Sequence, residues 1–284
     1  MNYELVTVIR PEQETWILSK KRIYESKGKV LSILPSQFFA KHLEDEKVKG
    51  VNVFDELTKR EYSLDKSMYF NEAPVPSYSE IFMNGDFSIS IINEGEEIGS
   101  VELFPNTRRL VKNIHYFSEM RKDFTQEYTI DGELFSEIFY FNNKPQEIHF
   151  YNKNRVAVIS YFFYEGKLEF ISLNNGKTGT MVQGYTSFEE FISDCVAKML
   201  TVKDRVTISF MGIEMLALSK SRSYNILELT ESPLDDNGEV KGNLLQILKN
   251  DISYIHEVKM SLEYKQLLLK KNVPISKVTL NRNE

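Results

Sequence analysis

The sequence predicts α/β structure combined with antiparallel β structure: a Rossmann-like parallel-sheet domain interrupted by an inserted β-meander. Three observations carry this reading. Strand-like and helix-like segments alternate across short connections in the C-terminal third, and a smaller copy of that alternation opens the chain. Between them lies a long stretch with no helical period and with turn signals at short intervals.

At the N-terminus, residues 5–9 read as a strand, 11–26 as a helix and 29–34 as a second strand, which Pro35 closes. In the C-terminal part, Ser187-Phe188-Glu189-Glu190 has the form of a capping box. Phe188, Phe191, Ile192, Cys195, Val196, Met199 and Leu200 follow at helical spacing and make one apolar stripe. A buried strand is expected at 206–211, ended by Gly212, then a short helix at 213–220 and a strand at 225–229. A helix near 240–249, a strand at 253–258, a helix over 262–271 and a last strand at 278–280 complete the alternation. Such βα units imply parallel pairing, so the two N-terminal strands are expected to join the C-terminal sheet.

From about residue 78 to 185 the pattern changes. Asn84-Gly85-Asp86, Gly95-Glu96, Asp131-Gly132, Asn142-Asn143, Asn152-Lys153-Asn154 and Glu165-Gly166 read as hairpin turns. Strands at 134–141, 147–151, 156–163 and 168–173 fit between them, and Tyr128, Tyr140, Tyr151 and Phe163 recur every eleven or twelve residues. The expected division is 1–67 and 187–284 for the two parts of the α/β lobe, with 68–186 as the inserted β-domain.

In 134–141 and in 156–163 large apolar side chains stand on both strand faces, whereas a sheet with one wet face alternates apolar and polar residues. Either the α/β domain packs on one face and tyrosine hydroxyls wet the other, or a partner protein covers a face, since monomers rarely expose large apolar patches. Phe139, Phe141, Tyr161 and Phe163 alternate along neighbouring strands and are the candidate partner interface on a shared face.

Composition narrows the function further. The 284 residues carry 35 Lys+Arg against 41 Asp+Glu, a net charge of −6, which supplies no general attraction to nucleic acid. The single cysteine, Cys195, excludes an internal disulfide, and its place on an apolar helical stripe suits an inert core thiol. The N-terminal apolar run is short and broken by Thr7, so neither a signal peptide nor a membrane helix is expected there, and the cytoplasm is the default location.

A search for chemistry yields little. Gly176-Lys177-Thr178 lacks the glycine that a phosphate loop needs five residues earlier, where Ile171 stands. There is no Gly-x-Gly-x-x-Gly, no Asp-x-Asp and no Gly-x-Ser-x-Gly. His42, His115, His149 and His256 have no pairing at metal-ligand spacing. Asp235-Asp236 beside Gly238 reads as a solvated turn, and Lys20-Lys21-Arg22 and Lys270-Lys271 as solvated helix faces. No catalytic residue, metal ligand or cofactor is expected.

Met68-Tyr69-Phe70-Asn71, Val75-Pro76, Glu80-Ile81 and Arg109-Leu110-Val111-Lys112 occur in an order that resembles one known family. It is the regulatory B subunit of the glycosyltransferase pair of the accessory Sec system in Gram-positive bacteria. The following meander is similar to the extra β-domain of that subunit, its catalytic partner and wall-teichoic-acid glycosyltransferases. Asn174-Asn175-Gly176-Lys177-Thr178-Gly179 resembles the loop that leaves this domain, while Ser79 stands where the family has a bulky aromatic. The resemblance implies a glycosyltransferase-B-type lobe carrying a β-domain, in a non-catalytic chaperone or co-activator. That subunit stabilises a catalytic glycosyltransferase and binds a serine-rich adhesin polypeptide for transfer of N-acetylglucosamine to Ser/Thr. Peripheral membrane association is expected through the complex, and no cofactor or nucleic-acid partner is expected. The family continues into a donor-binding lobe, which is expected to be absent from this chain. Two alternatives stay open: the N-terminal part of an active retaining glycosyltransferase, and a general protein-interaction module.

Overall fold

The structure, a computed structural model, describes all residues except 64, 120 and 282–284. Contacts divide the chain into two compact units: Met1–Leu34, Glu46–Val53 and Glu189–Glu284 form one, Pro35–Asp45 and Phe54–Phe188 the other.

The first unit is built on a seven-stranded parallel sheet. Its strands are β1 (Asn2–Val6), β2 (Lys29–Ser32), β3 (Gly50–Asn52), β14 (Arg205–Ile208), β15 (Tyr224–Glu228), β16 (Glu257–Met260) and β17 (Val278–Leu280), in the spatial order β17-β16-β15-β14-β1-β2-β3. N- and C-terminal segments thus share one sheet, because β1 pairs with β14 in parallel from Asn2↔Arg205. Helices α1 (Glu14–Ser26), α4 (Phe188–Met199), α5 (Ile213–Ala217), α6 (Gly242–Leu248) and α7 (Leu262–Lys270) connect the strands. The predicted apolar stripe of α4 is buried at Phe191, Ile192, Cys195 and Val196.

Besides shifted element ends, such as β16 at Glu257–Met260 where a strand at 253–258 is expected and β14 ending at Ile208 rather than residue 211, two features depart from the sequence reading. The first strand starts at Asn2 rather than residue 5, because the buried carboxylate of Glu4 masks its N-terminal half. Glu4 is held there by Arg22 of α1, whose Nη2 lies 2.7 Å from Oε2 and whose Nε lies 3.1 Å from both carboxylate oxygens. Ser19 and Ser209 take the other bonds of the same Nη2, at 3.0 and 2.9 Å. The second departure is a set of short elements, α2 (Phe39–Glu46), β3 and α3 (Val53–Thr58), that fall where no element was expected. Windows of three to eight residues are too short to display a period.

The second unit is a ten-stranded antiparallel meander in which every strand pairs with its sequence neighbour. The strands are β4 (Ser79–Met83), β5 (Ile89–Asn93), β6 (Glu96–Leu103), β7 (Val111–Ser118), β8 (Arg121–Tyr128), β9 (Leu134–Phe141), β10 (Lys144–Tyr151), β11 (Ala157–Tyr164), β12 (Lys167–Asn174) and β13 (Met181–Tyr185). Two-residue turns at Glu94-Gly95, Asn142-Asn143 and Glu165-Gly166 have positive φ at both positions, as the twist-matched hairpin turn requires. Residues 35–45 and 54–67 cluster with this sheet, whereas the sequence reading drew the boundary at 67. Specific bonds tie them there: Arg60 Nη2 donates to the carbonyls of Leu134 (3.0 Å) and Tyr151 (2.6 Å). Gln37 Nε2 donates to the carbonyls of Lys112 and Tyr128 and to Asn113 Oδ1, all within 3.0 Å.

Candidate functional site

The β-unit's two faces differ. One face packs inward: Tyr161 is 7% exposed and meets Phe150 at 5.3 Å, Phe54 at 6.3 Å and Phe188 at 6.3 Å, each nearly edge to face. On the other face, the segment 68–75 covers β5 to β7, burying Ala73, Ile91, Val101, Ile114 and Tyr116 in one cluster with Met68, Phe70 and Val75 against it. Beyond that cover a row of aromatic side chains runs across the sheet. Tyr116 stacks on Phe124 at 4.5 Å, Phe124 on Phe139 at 6.1 Å, and Phe139 meets His149 at 5.6 Å. His149 meets Phe162 at 6.2 Å, and Phe162 meets Phe170 at 6.1 Å. Phe139 is 37% exposed, and Phe141, on the same side of β9 by strand alternation, is 68% exposed. Phe124, Phe162 and Phe170 are half-buried.

The row is aligned by register. Tyr116 pairs with Phe124, Phe124 with Phe139, Phe139 with Glu147, Glu147 with Phe162 and Phe162 with Phe170. Its far end needs a glycine: a Cβ on Gly184 would lie 2.6 Å from Phe170 Cζ, so the ring lies over bare backbone. His149 is fixed in the row by Ser160 Oγ at 2.8 Å and Glu147 Oε2 at 3.0 Å.

This geometry corrects the shared face expected for Phe139, Phe141, Tyr161 and Phe163. Phe139 aligns with Phe162, while Tyr161 aligns through Ile148 with Ile138, so Phe139 and Phe141 lie on one face and Tyr161 and Phe163 on the other. The cause is a register shift between Pro145 and Glu147, which inserts Gln146 into β10. One extra residue moves every later side chain to the opposite face.

A second candidate lies in the α/β unit. The strand order reverses between β1 and β14, and a crevice of about 640 Å³ opens at their C-terminal ends. In open α/β sheets this reversal is where ligands bind. Arg10, Glu14, Thr15, Phe210 and Glu231 line it, with Glu214 below. Glu214 accepts the Thr7 N–H at 3.1 Å, and the backbone N–H groups of Phe210 and Ser209. Burial pushes its carboxyl up to about 7, against the pull of those three donors. Its oxygens thus brace the β1–α1 loop against the β14–α5 loop.

The other candidates resolve into structure. Burial pushes the Cys195 thiol up to about 12. Asn175 Oδ1 accepts the N–H groups of Lys177 and Thr178, so Gly176-Lys177-Thr178 belongs to a side-chain-capped turn. Asp235 Oδ1 does the same for Asn237 and Glu239. Among the described residues no group of three His, Cys, Asp or Glu side chains is arranged to hold a metal ion, and no helix is long and apolar enough to cross a membrane.

No family model matches the chain, and no curated protein does. Solved structures match across it. A chain of the glycosylation-associated protein (Gap123) complex from Streptococcus agalactiae superposes with a TM-score of 0.72 at 14% identity, over 99% of this chain and 60% of that one. A chain of the accessory secretory protein 1, 2 and 3 structure from Streptococcus pneumoniae gives 0.74 at 13% identity, over 99% and 61%. The pneumococcal O-GlcNAc transferase GtfA, in complex with UDP and GlcNAc, gives 0.74 at 11% identity, over 98% and 58%. The chain therefore spans about three-fifths of the length of these neighbours. Its fold is the one the resemblance implies: a glycosyltransferase-B-like parallel-sheet lobe whose sequence is interrupted by an antiparallel β-domain.

Proposed function

We propose that this chain is a non-catalytic partner of a glycosyltransferase, docking through the aromatic row of its β-unit. In this reading it stabilises the catalytic subunit and engages a serine-rich acceptor polypeptide for O-linked N-acetylglucosamine transfer, in the cytoplasm. The antiparallel unit, residues 35–45 and 54–188, is then the docking domain, and 1–34, 46–53 and 189–284 form the α/β lobe. The observation that carries the reading is the half-exposed row Phe124–Phe139–Phe162–Phe170, whose Phe124 end packs against the cluster under residues 68–75. Aromatic side chains at a desolvated interface centre are the usual anchors of binding energy. The fold shared with chains of glycosylation-associated and accessory secretory complexes supports the choice of partner.

The test is co-expression with a catalytic glycosyltransferase and a serine-rich acceptor. The transferase should be more soluble and more active with this chain present, and the purified chain alone should transfer no sugar from a nucleotide donor. Product formed by the chain alone would sink the proposal.

The second reading, part of an active retaining glycosyltransferase, is favoured by the crevice at the β1/β14 reversal and by the fold shared with an O-GlcNAc transferase. Saturable binding of a nucleotide sugar that Arg10→Ala and Glu231→Gln abolish would support it.

A further inference from the structure

The β-unit holds a cleft of about 630 Å³ that neither reading uses. Its floor is the inward face of the sheet, and its walls are residues 35–42 and the turn at 104–106. The size suits a small organic molecule. Five aromatic rings line it. Phe38 and Phe104 lie 5.2 Å apart on the walls, while Phe135 and Phe150 (5.7 Å) and Phe150 and Tyr161 (5.3 Å) meet edge to face on the floor.

Glu127 puts a half-buried carboxyl among these rings and accepts the Ser136 hydroxyl. Two basic side chains share the cleft: Lys112, whose Nζ lies 2.7 Å from Glu102 Oε1 and which also attracts Glu127, and His42, whose ring meets Phe38 at 5.0 Å. The carboxylate among the rings is that of Glu127. An anion among aromatic rings is costly to desolvate alone, and aromatic faces attract cations. One ligand class satisfies both at once.

We propose that this cleft binds an organic ammonium ion, with the rings as a cage and Glu127 as the counter-charge. The ammonium can be that of a free small molecule or of a lysine side chain. The shared chemistry is a positive nitrogen on an apolar stem.

The experiment titrates the intact chain with benzyltrimethylammonium, with its neutral carbon isostere, and with a lysine-containing tripeptide, following the Ile148 methyl resonance. At least one cation should saturate and bind about tenfold tighter than the neutral isostere. The tighter cation identifies the source. Glu127→Gln should erase most of that preference. Phe38→Leu, which keeps the wall but removes a ring, should weaken cation binding severalfold and serves if Glu127→Gln fails to fold. Equal affinity for cation and isostere would overturn the proposal, as would no shift at Ile148 with either cation.

Discussion

In the α/β unit the polar groups that enter the core arrive with their partners. Glu4 meets Arg22, Asn52 donates to Ser32 Oγ and the Leu34 carbonyl, and Asn225 donates to the Tyr254 carbonyl while accepting the Ser223 hydroxyl. In the β-unit one face buries Phe135, Phe150 and Tyr161 around a cleft, and the opposite face carries large aromatic side chains past the cluster under residues 68–75, at Phe124, Phe139, Phe162 and Phe170. The difference separates residues that hold the fold from residues that the fold does not need. Buried pairs in the first unit are costly to break, whereas half-exposed rings in the second contribute less to folding.

The largest test of that contrast is Arg22→Leu. It leaves Glu4 buried without its cation and should cost about 3–5 kcal/mol in urea unfolding. A loss under about 1 kcal/mol would mean the pair is not a fold determinant.

Next is pH dependence. Glu214 has its carboxyl raised from the ordinary 4.5 to about 7 by burial. Between these values the folded chain holds a proton that the unfolded chain has released. This contribution to stability is full below about 4.5 and is lost as pH rises through 7, by at most about 3 kcal/mol. Glu214→Gln should flatten that part of the profile in thermal unfolding. In the β-unit, Asp55, raised from 3.8 to about 6 by burial, has the same sign but completes its loss at lower pH.

Smaller is Gly166→Ala, which puts a side chain at φ +82 in the turn between β11 and β12. It should cost about 1–2 kcal/mol by chemical denaturation, with the α/β unit unaffected. Smallest of all, Phe139→Ser on the exposed row should change unfolding by no more than about 1 kcal/mol, while Tyr161→Ser on the inward face should cost several times that.

The same contrast explains what was legible in the sequence. The long, periodic elements were: α4 from its apolar stripe and β9 with its bounds, together with the joining of N- and C-terminal strands in one parallel sheet; the short β17 was placed by the alternation of strands and helices before it. Three-residue β3 was not, nor the true start of β1, where Glu4 breaks the apolar run for the sake of a partner eighteen residues away. In the β-unit the abundance of aromatics was readable, but which of them share a face was not. That relation depends on Gln146, an inserted residue with no local signature, and it turned Phe163 away from Phe139 and brought Phe162 in. Alternation reads one strand at a time, whereas a binding face is a property of several strands in register. The crevice at the β1/β14 reversal was likewise invisible, since strand order is not a local property of sequence.

The proposed docking is tested most directly by the affinity of this chain for a catalytic glycosyltransferase, measured with the wild type and with Phe124→Ser/Phe139→Ser/Phe162→Ser. Docking through the row predicts roughly tenfold or greater weakening, with an unfolding profile close to that of the wild type. Unchanged affinity in the folded triple variant would contradict it.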